Sequence, residues 1–126
     1  MPPNESFKAR DRIRQDVHFR KIFARKRRAS DERMVIYVAD NGLTWSRLGV
    51  RANRQVGPAV LRNRIRRRLR DIFRRRRSLF PRGLDVICVI KPGQEYHYAA
   101  LATSFVRLVA KAATKSSHGR QSDKPR

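Results

Sequence analysis

The chain has 126 residues, enough for one domain with a modest core, and 40% of them are apolar. It carries 32 basic against 10 acidic residues, a formal net charge of +22. That charge strains a compact state by self-repulsion and calls for a polyanionic partner, nucleic acid first. There is no 18-residue apolar run to span a membrane, the opening "MPPNESFKAR" lacks a signal-peptide core, and a single cysteine excludes a disulfide framework or a Cys-rich zinc site. The reading is a cytoplasmic protein with no membrane contact and no small-molecule cofactor.

Residues 1–10 read as a flexible arm. A first helix is predicted over about 12–26, "RIRQDVHFRKIFARK", ending near the basic, turn-like "RRASDE". "RMVIYVAD" (33–40) is β-branched and apolar, and Asn41-Gly42 is a turn signal. "WSRLGVRAN" (45–53) alternates, with Ser46, Leu48, Val50 and Ala52 on one face and Trp45, Arg47 and Arg51 on the other. These two segments are expected to form an antiparallel pair.

Gly57 and Pro58 set the start of a long helix running to about Phe80, where Pro81 and Gly83 end it. "LDVICVI" (84–90) is apolar on both faces and reads as a buried central strand, with Cys88 as a small buried hydrophobe. A last helix follows over about 95–113. Residues 114–126, "TKSSHGRQSDKPR", read as a disordered basic tail. The order α-β-β-α-β-α points to one α+β domain over residues 1–113, a small mixed β-sheet packed with three helices.

The stretch "LRNRIRRRLRDIFRRRR" (61–77) holds ten arginines in seventeen positions. Like charges at helical spacing repel by about 0.2–0.5 kcal/mol per pair, so stability does not explain them. On a 100° wheel Leu61, Ile65, Leu69, Ile72, Phe73, Leu79 and Phe80 share about a third of the circumference. Asn63, Arg66, Arg67, Arg70, Arg74 and Arg77 lie opposite, with Arg64, Arg68 and Arg75 flanking, Arg62 at the stripe's edge and Arg76 within it. At about 1.5 Å per residue the helix is roughly 35 Å long, so its basic face follows several phosphates. A merely solvated face would interleave Glu with Arg, and this one carries only Asp71. A polyanion relieves the repulsion, and the guanidinium fork suits phosphate.

In the first helix, Phe19 and Phe23 stand four apart on one face, and Tyr37 falls on the strand beneath. Their pattern reads as core, yet an aromatic shelf flanked by Arg20, Arg25 and Lys26 also suits single-stranded RNA, whose bases stack at about 1–3 kcal/mol each. Pattern alone leaves both readings open. Little else suggests chemistry. His18, His97 and His118 have no metal-ligand spacing, the carboxylates are scattered, and "KPGQEY" lacks the spacing of a phosphate loop. The polypeptide does not read as a catalyst by itself.

"GPAVLRNRIRRRLRDIFR" resembles the signature of the bacterial ribonuclease P protein component, in which Gly-x-Ala-Val-x-Arg-Asn-Arg opens a long basic helix. The matching positions are Gly57, Ala59, Val60, Arg62, Asn63, Arg64, Arg67 and Arg70. "RLGVRANRQVG" and "LDVICVI" resemble the family's flanking segments, so the likeness spans about residues 10–113. The chain departs from the family pattern at Arg54, Gln55 and Arg66, where lysines are usual, and near Lys26, where a glycine is common.

The resemblance implies a left-handed strand–helix–strand crossover, against the usual right-handed preference. It implies an RNA subunit that holds the catalytic Mg²⁺ ions and performs the endonucleolytic 5′ maturation of tRNA. This chain would bind that RNA through Arg62, Asn63, Arg64, Arg66, Arg67, Arg70 and Arg74. It would bind the 5′ leader of precursor tRNA through Phe19, Phe23, Tyr37, Arg20 and Arg51. The alternative is a structural RNA-binding protein such as a small ribosomal protein. A helix-in-groove DNA binder ranks lower, because a uniform arginine face reads few base edges.

Overall fold

The computed structural model describes residues 7–13 and 27–114. Most of the first helix expected over 12–26, and the tail beyond Thr114, lie outside the described residues. Within them are four strands, β1 (Arg28–Ser30), β2 (Met34–Asp40), β3 (Arg47–Arg51) and β4 (Leu84–Ile90). Two helices, α1 (Ala59–Arg76) and α2 (Tyr98–Ala113), and short 3-10 turns at Ala9–Asp11 and Arg77–Leu79 complete the fold. It is a mixed α+β architecture.

The sheet order is β1-β2-β4-β3. β4 runs antiparallel to β2, with Ile87 opposite Tyr37, and parallel to β3, with Val86 opposite Leu48. The expected antiparallel pairing of 33–40 with 45–53 therefore does not form. β4 is apolar on both faces and occupies the slot between them, which satisfies its backbone groups on both edges. The Asn41-Gly42 signal opens a wider connection instead of a two-residue hairpin. Asn41 Oδ1 accepts from Leu43 N at 2.8 Å, while Nδ2 donates to Trp45 O at 3.2 Å and Asp85 Oδ1 at 2.9 Å.

The turn-like "RRASDE" contains a strand, β1, paired antiparallel with β2. The turn chemistry is real but comes later: Asp31 Oδ1 accepts from Arg33 N at 2.8 Å and Met34 N at 3.0 Å.

Both helices pack on one face of the sheet. Met34, Ile36, Val38, Leu48, Val86 and Cys88 meet Ile65, Leu69, Ile72 and Phe73 of α1 and Leu101, Phe105 and Leu108 of α2. Phe73 is the hub, edge-on to Phe7 at 5.9 Å and Phe105 at 6.5 Å and stacked on Phe80 at 6.2 Å. Each such pair adds about 0.5–1.5 kcal/mol beyond the burial of area. The wheel puts Leu79 in the apolar stripe, but it is 65% exposed. The chain tightens into a 3-10 turn at Arg77, and the change of phase turns Phe80 inward in its place.

Cys88 is fully buried, with its thiol 3.5 Å from Met34 Sδ, and burial pushes its pKa far above the usual thiol range. Gly83, between the end of α1 and β4, has φ +78°, and a Cβ there would stand 2.7 Å from Leu43 O. Gly83→Ala should therefore cost about 1–3 kcal/mol, read as a lower midpoint in urea unfolding. An unchanged midpoint would show that the 41–46 connection yields freely.

Candidate nucleic-acid interface

Helix α1 begins at a backbone turn that only glycine tolerates well. Gly57 has φ +154°, and a Cβ there would meet Leu61 Cδ2 at 2.7 Å. Pro58 caps the helix, and Arg62 Nε donates back to Gly57 O at 3.1 Å. No acidic residue stands in the first turn and no side chain caps it. The N-terminal end of α1 is thus positive through both its dipole and its side chains.

Ile65, Leu69, Ile72 and Phe73 face the core, leaving Asn63, Arg64 and Arg67 exposed. The arginines of α1 divide by what holds them. Arg64 and Arg67 make no hydrogen bond or ion pair with the described residues. Arg66 donates to Asn63 Oδ1 at 3.1 Å and, weakly, to Ala52 O at 3.4 Å. Arg68 is spent on Tyr96 O at 2.9 Å. Arg70 is half-buried.

Arg74 and Arg75 are held by Asp71, at 2.6 and 3.0 Å. Asp71 also accepts from the Tyr98 hydroxyl at 2.7 Å. Of the seven expected contacts, Arg74 is tied to an acid, Asp71. Asp71 thereby offsets the repulsion in the second half of the helix, while in the first half Arg62 and Arg66 reach only neutral oxygens and Arg64 and Arg67 stay open among the described residues.

The opposite face of the sheet bears a second surface. Cross-strand pairing places Arg28, Tyr37, Ile87 and Gly49 in one row, and Ser30, Val35, Val89 and Arg51 in the next. Tyr37 is half-buried against Ile13, Ala39 and Ile87. The structure thus brings Tyr37 and Arg51 to one face. Phe19, Phe23 and Arg20 lie outside the described residues.

Arg28, directly across from Tyr37 and exposed, was not among the expected site residues. Its segment carries turn-forming residues, and only its pairing with β2 reveals it as a strand. Arg47 shares this face but is gripped in a bidentate pair by the buried Asp85, at 2.7 and 2.6 Å. The two surfaces approach each other where β3 ends: Arg51 is exposed there, and the next carbonyl, that of Ala52, is the one Arg66 reaches.

The carboxylates do not assemble a catalytic or metal centre among the described residues. Each described aspartate holds an arginine instead: Asp11 with Arg77, Asp31 with Arg107, Asp40 with Arg27, Asp71 with Arg74, and Asp85 with Arg47. His97 is exposed and caps α2, its Nδ1 accepting from Ala100 N at 3.3 Å. No helix among the described residues is long and apolar enough to cross a membrane.

Burial alone would raise the pKa of Asp71. The hydrogen bonds from Tyr98 and Arg75 and the charges of Arg74 and Arg75 outweigh it and hold the carboxyl below its usual range. A depressed native pKa stabilises the fold above the unfolded value, near 4, and that stabilisation is lost as pH falls through the native value. Asp71→Asn should therefore cost about 1 kcal/mol at neutral pH. The gap between the two melting temperatures should close as the pH drops below about 4. A gap that persists in acid would assign the loss to packing.

The family model for Ribonuclease P matches residues 7–113. The chain is 38% identical over 85 residues to the ribonuclease P protein component of Thermotoga maritima, covering 68% of this chain and 73% of that one. It is 30% identical over 112 residues to that of Petrotoga mobilis, covering 85% and 95%. Among solved structures, the RNase P protein of Staphylococcus aureus superposes with a TM-score of 0.73 at 28% identity, over 85% of this chain and 97% of that one. The Thermotoga maritima protein, at 24% identity over 83% of this chain and 98% of that one, shares the fold with a TM-score of 0.72.

Proposed function

The chain belongs to the ribonuclease P protein family, whose work is 5′ processing of tRNA by a ribonucleoprotein endoribonuclease, and on that premise we propose how it divides its surfaces between two RNAs. The N-terminal half of α1, with Arg62, Asn63, Arg64, Arg66, Arg67 and Arg70, grips the RNA subunit, and Arg74 joins only by leaving Asp71. The sheet face with Tyr37 and Arg51, together with Phe19, Arg20 and Phe23, holds the single-stranded 5′ leader of precursor tRNA. A left-handed crossover from β3 through α1 to β4 completes this picture, and the cytoplasm is the place of work.

One observation carries the reading. In a chain of net charge +22, every described aspartate is spent on an arginine, yet Arg64 and Arg67 stand exposed with no partner among the described residues. Fixed guanidinium groups there replace counterions along an RNA backbone. Catalytic Mg²⁺ belongs to the RNA subunit in this scheme. The described aspartates are paired with arginines, and the described carboxylates form no cluster that could hold a metal ion, so no step passes through them. The protein's part is to lower the repulsion between two RNAs and to hold the leader in register. The ribosomal alternative loses its ground with the family membership.

Two measurements test this. Replacing Arg62, Arg64, Arg67 and Arg70 by Ala should weaken binding of the RNA subunit and flatten the slope of log K against log salt by about 3, near 0.7–0.9 for each phosphate no longer neutralised. An unchanged slope would remove α1 from the RNA interface. Phe19→Ala should weaken affinity for precursor tRNA by about tenfold while sparing leaderless tRNA, the loss of one stacked base. Equal losses on both RNAs would return Phe19 to packing.

A further inference from the structure

Resting on the reading that the partner is an RNA subunit, we propose that a cavity at the C-terminal end of α1 receives one unstacked nucleobase of that RNA. The cavity measures about 200 Å³ and lies between the β2–β3 connection and the 3-10 turn after α1, lined by Thr44, Trp45, Phe73, Arg77, Ser78 and Arg82. It is smaller than the 300–1,000 Å³ typical of drug-sized ligand sites, a volume suited to a single planar ring system.

The walls have the chemistry that holds a base. Trp45 is the only tryptophan of the chain, and its ring is fixed from two sides. Its Nε1 donates to Arg10 O at 3.1 Å, and the Arg10 guanidinium lies 4.6 Å from the ring centroid. Phe73 is held by the core, and the Arg77 guanidinium stands 5.6 Å from its ring. Aromatic and guanidinium surfaces stack on any base, because every base has a π-face.

The polar groups at the cavity fit a nucleotide as well. The Thr44 and Ser78 hydroxyls make no hydrogen bond with the described residues and can meet a base edge. The neighbouring Ser46 hydroxyl is occupied, by Leu84 N at 3.0 Å and Pro81 O at 3.2 Å. Arg82 is exposed without a partner among the described residues, positioned for a flanking phosphate.

Charge selects the occupant. An apolar peptide would gain nothing from Arg10 beside the indole or from Arg77 and Arg82 at the cavity wall, whereas a polyanion carrying aromatic bases satisfies both. The source is the RNA subunit and not the leader, because the cavity adjoins the C-terminal end of α1 and its turn, through Phe73, Arg77 and Ser78, and Tyr37 does not line it. The base pocket would extend the arginine track of α1 by one anchored nucleotide.

The sole indole reports directly on its own site. The full chain is titrated with the RNA subunit while tryptophan emission is followed, and binding is measured independently by anisotropy of labelled RNA. Emission should fall in step with binding, and heparin, a polyanion without bases, should leave it unchanged. Equal quenching by heparin would overturn the proposal, as would RNA binding with no change in emission while the proposed function stood. Quenching by precursor tRNA alone would also overturn it, by reassigning the occupant. Absence of RNA-subunit binding would bring down the underlying reading too, so the failures are distinguishable.

Variants give a second readout, each checked by thermal melting for the native fold. Trp45→Phe should keep affinity for the RNA subunit within about threefold, and Trp45→Leu should lose about tenfold. Equal losses would place the effect in the indole's hydrogen bond to Arg10 and would overturn stacking.

Discussion

Strand β4 is hydrogen-bonded along both edges, antiparallel to β2 on one side and parallel to β3 on the other. A parallel pair cannot be closed by a tight turn; it needs a crossover of a dozen residues or more, which must pass over one face of the sheet. Helix α1 is that crossover. Its apolar stripe of Ile65, Leu69, Ile72 and Phe73 holds it to the sheet and to α2, so its arginines have nowhere to point but outward. The basic surface is therefore a consequence of how the central strand is paired.

Charge is distributed on this scaffold by scarcity of acid. With 10 acidic residues against 32 basic, carboxylates can neutralise only part of the chain, and they do so where backbone elements must be joined. Asp85 fixes Arg47 on the sheet, Asp11 ties the N-terminal segment to Arg77 past the end of α1, and Asp40 holds the buried Arg27. Asp71 quiets the second half of α1 and joins it to α2 through Tyr98. Repulsion is then concentrated in the first half of α1, where an RNA backbone can relieve it. The same economy ties every described aspartate to an arginine.

Much of this was legible in the residues themselves. The period-3.6 stripe of α1, the doubly apolar "LDVICVI" and the helix start at Gly57 and Pro58 each express a local rule, and the structure follows them. Errors fell where pairing decides. Residues 28–30 have turn-forming composition and become a strand because β2 offers them an edge. Residues 33–40 and 45–53 look like a hairpin, and the better partner for both lies more than thirty residues further along the chain. Leu79 fits a continuous wheel, and a single 3-10 turn moves it into solvent.

The charge, the helix that carries it and the apolar face that anchors that helix could all be read from residue order, because composition and periodicity are local properties. Which arginines remain open emerged only in the packed chain. Arg67 and Arg74 stand alike on a helical wheel of basic residues, and what separates them is Asp71, one turn from Arg74, and a tyrosine hydroxyl from another helix. The neighbourhood of Arg28 and Tyr37, the reach of Arg66 to the end of β3, and the cavity beside Trp45 are likewise products of strand order and crossover. These juxtapositions join residues distant along the chain, and no local pattern encodes them.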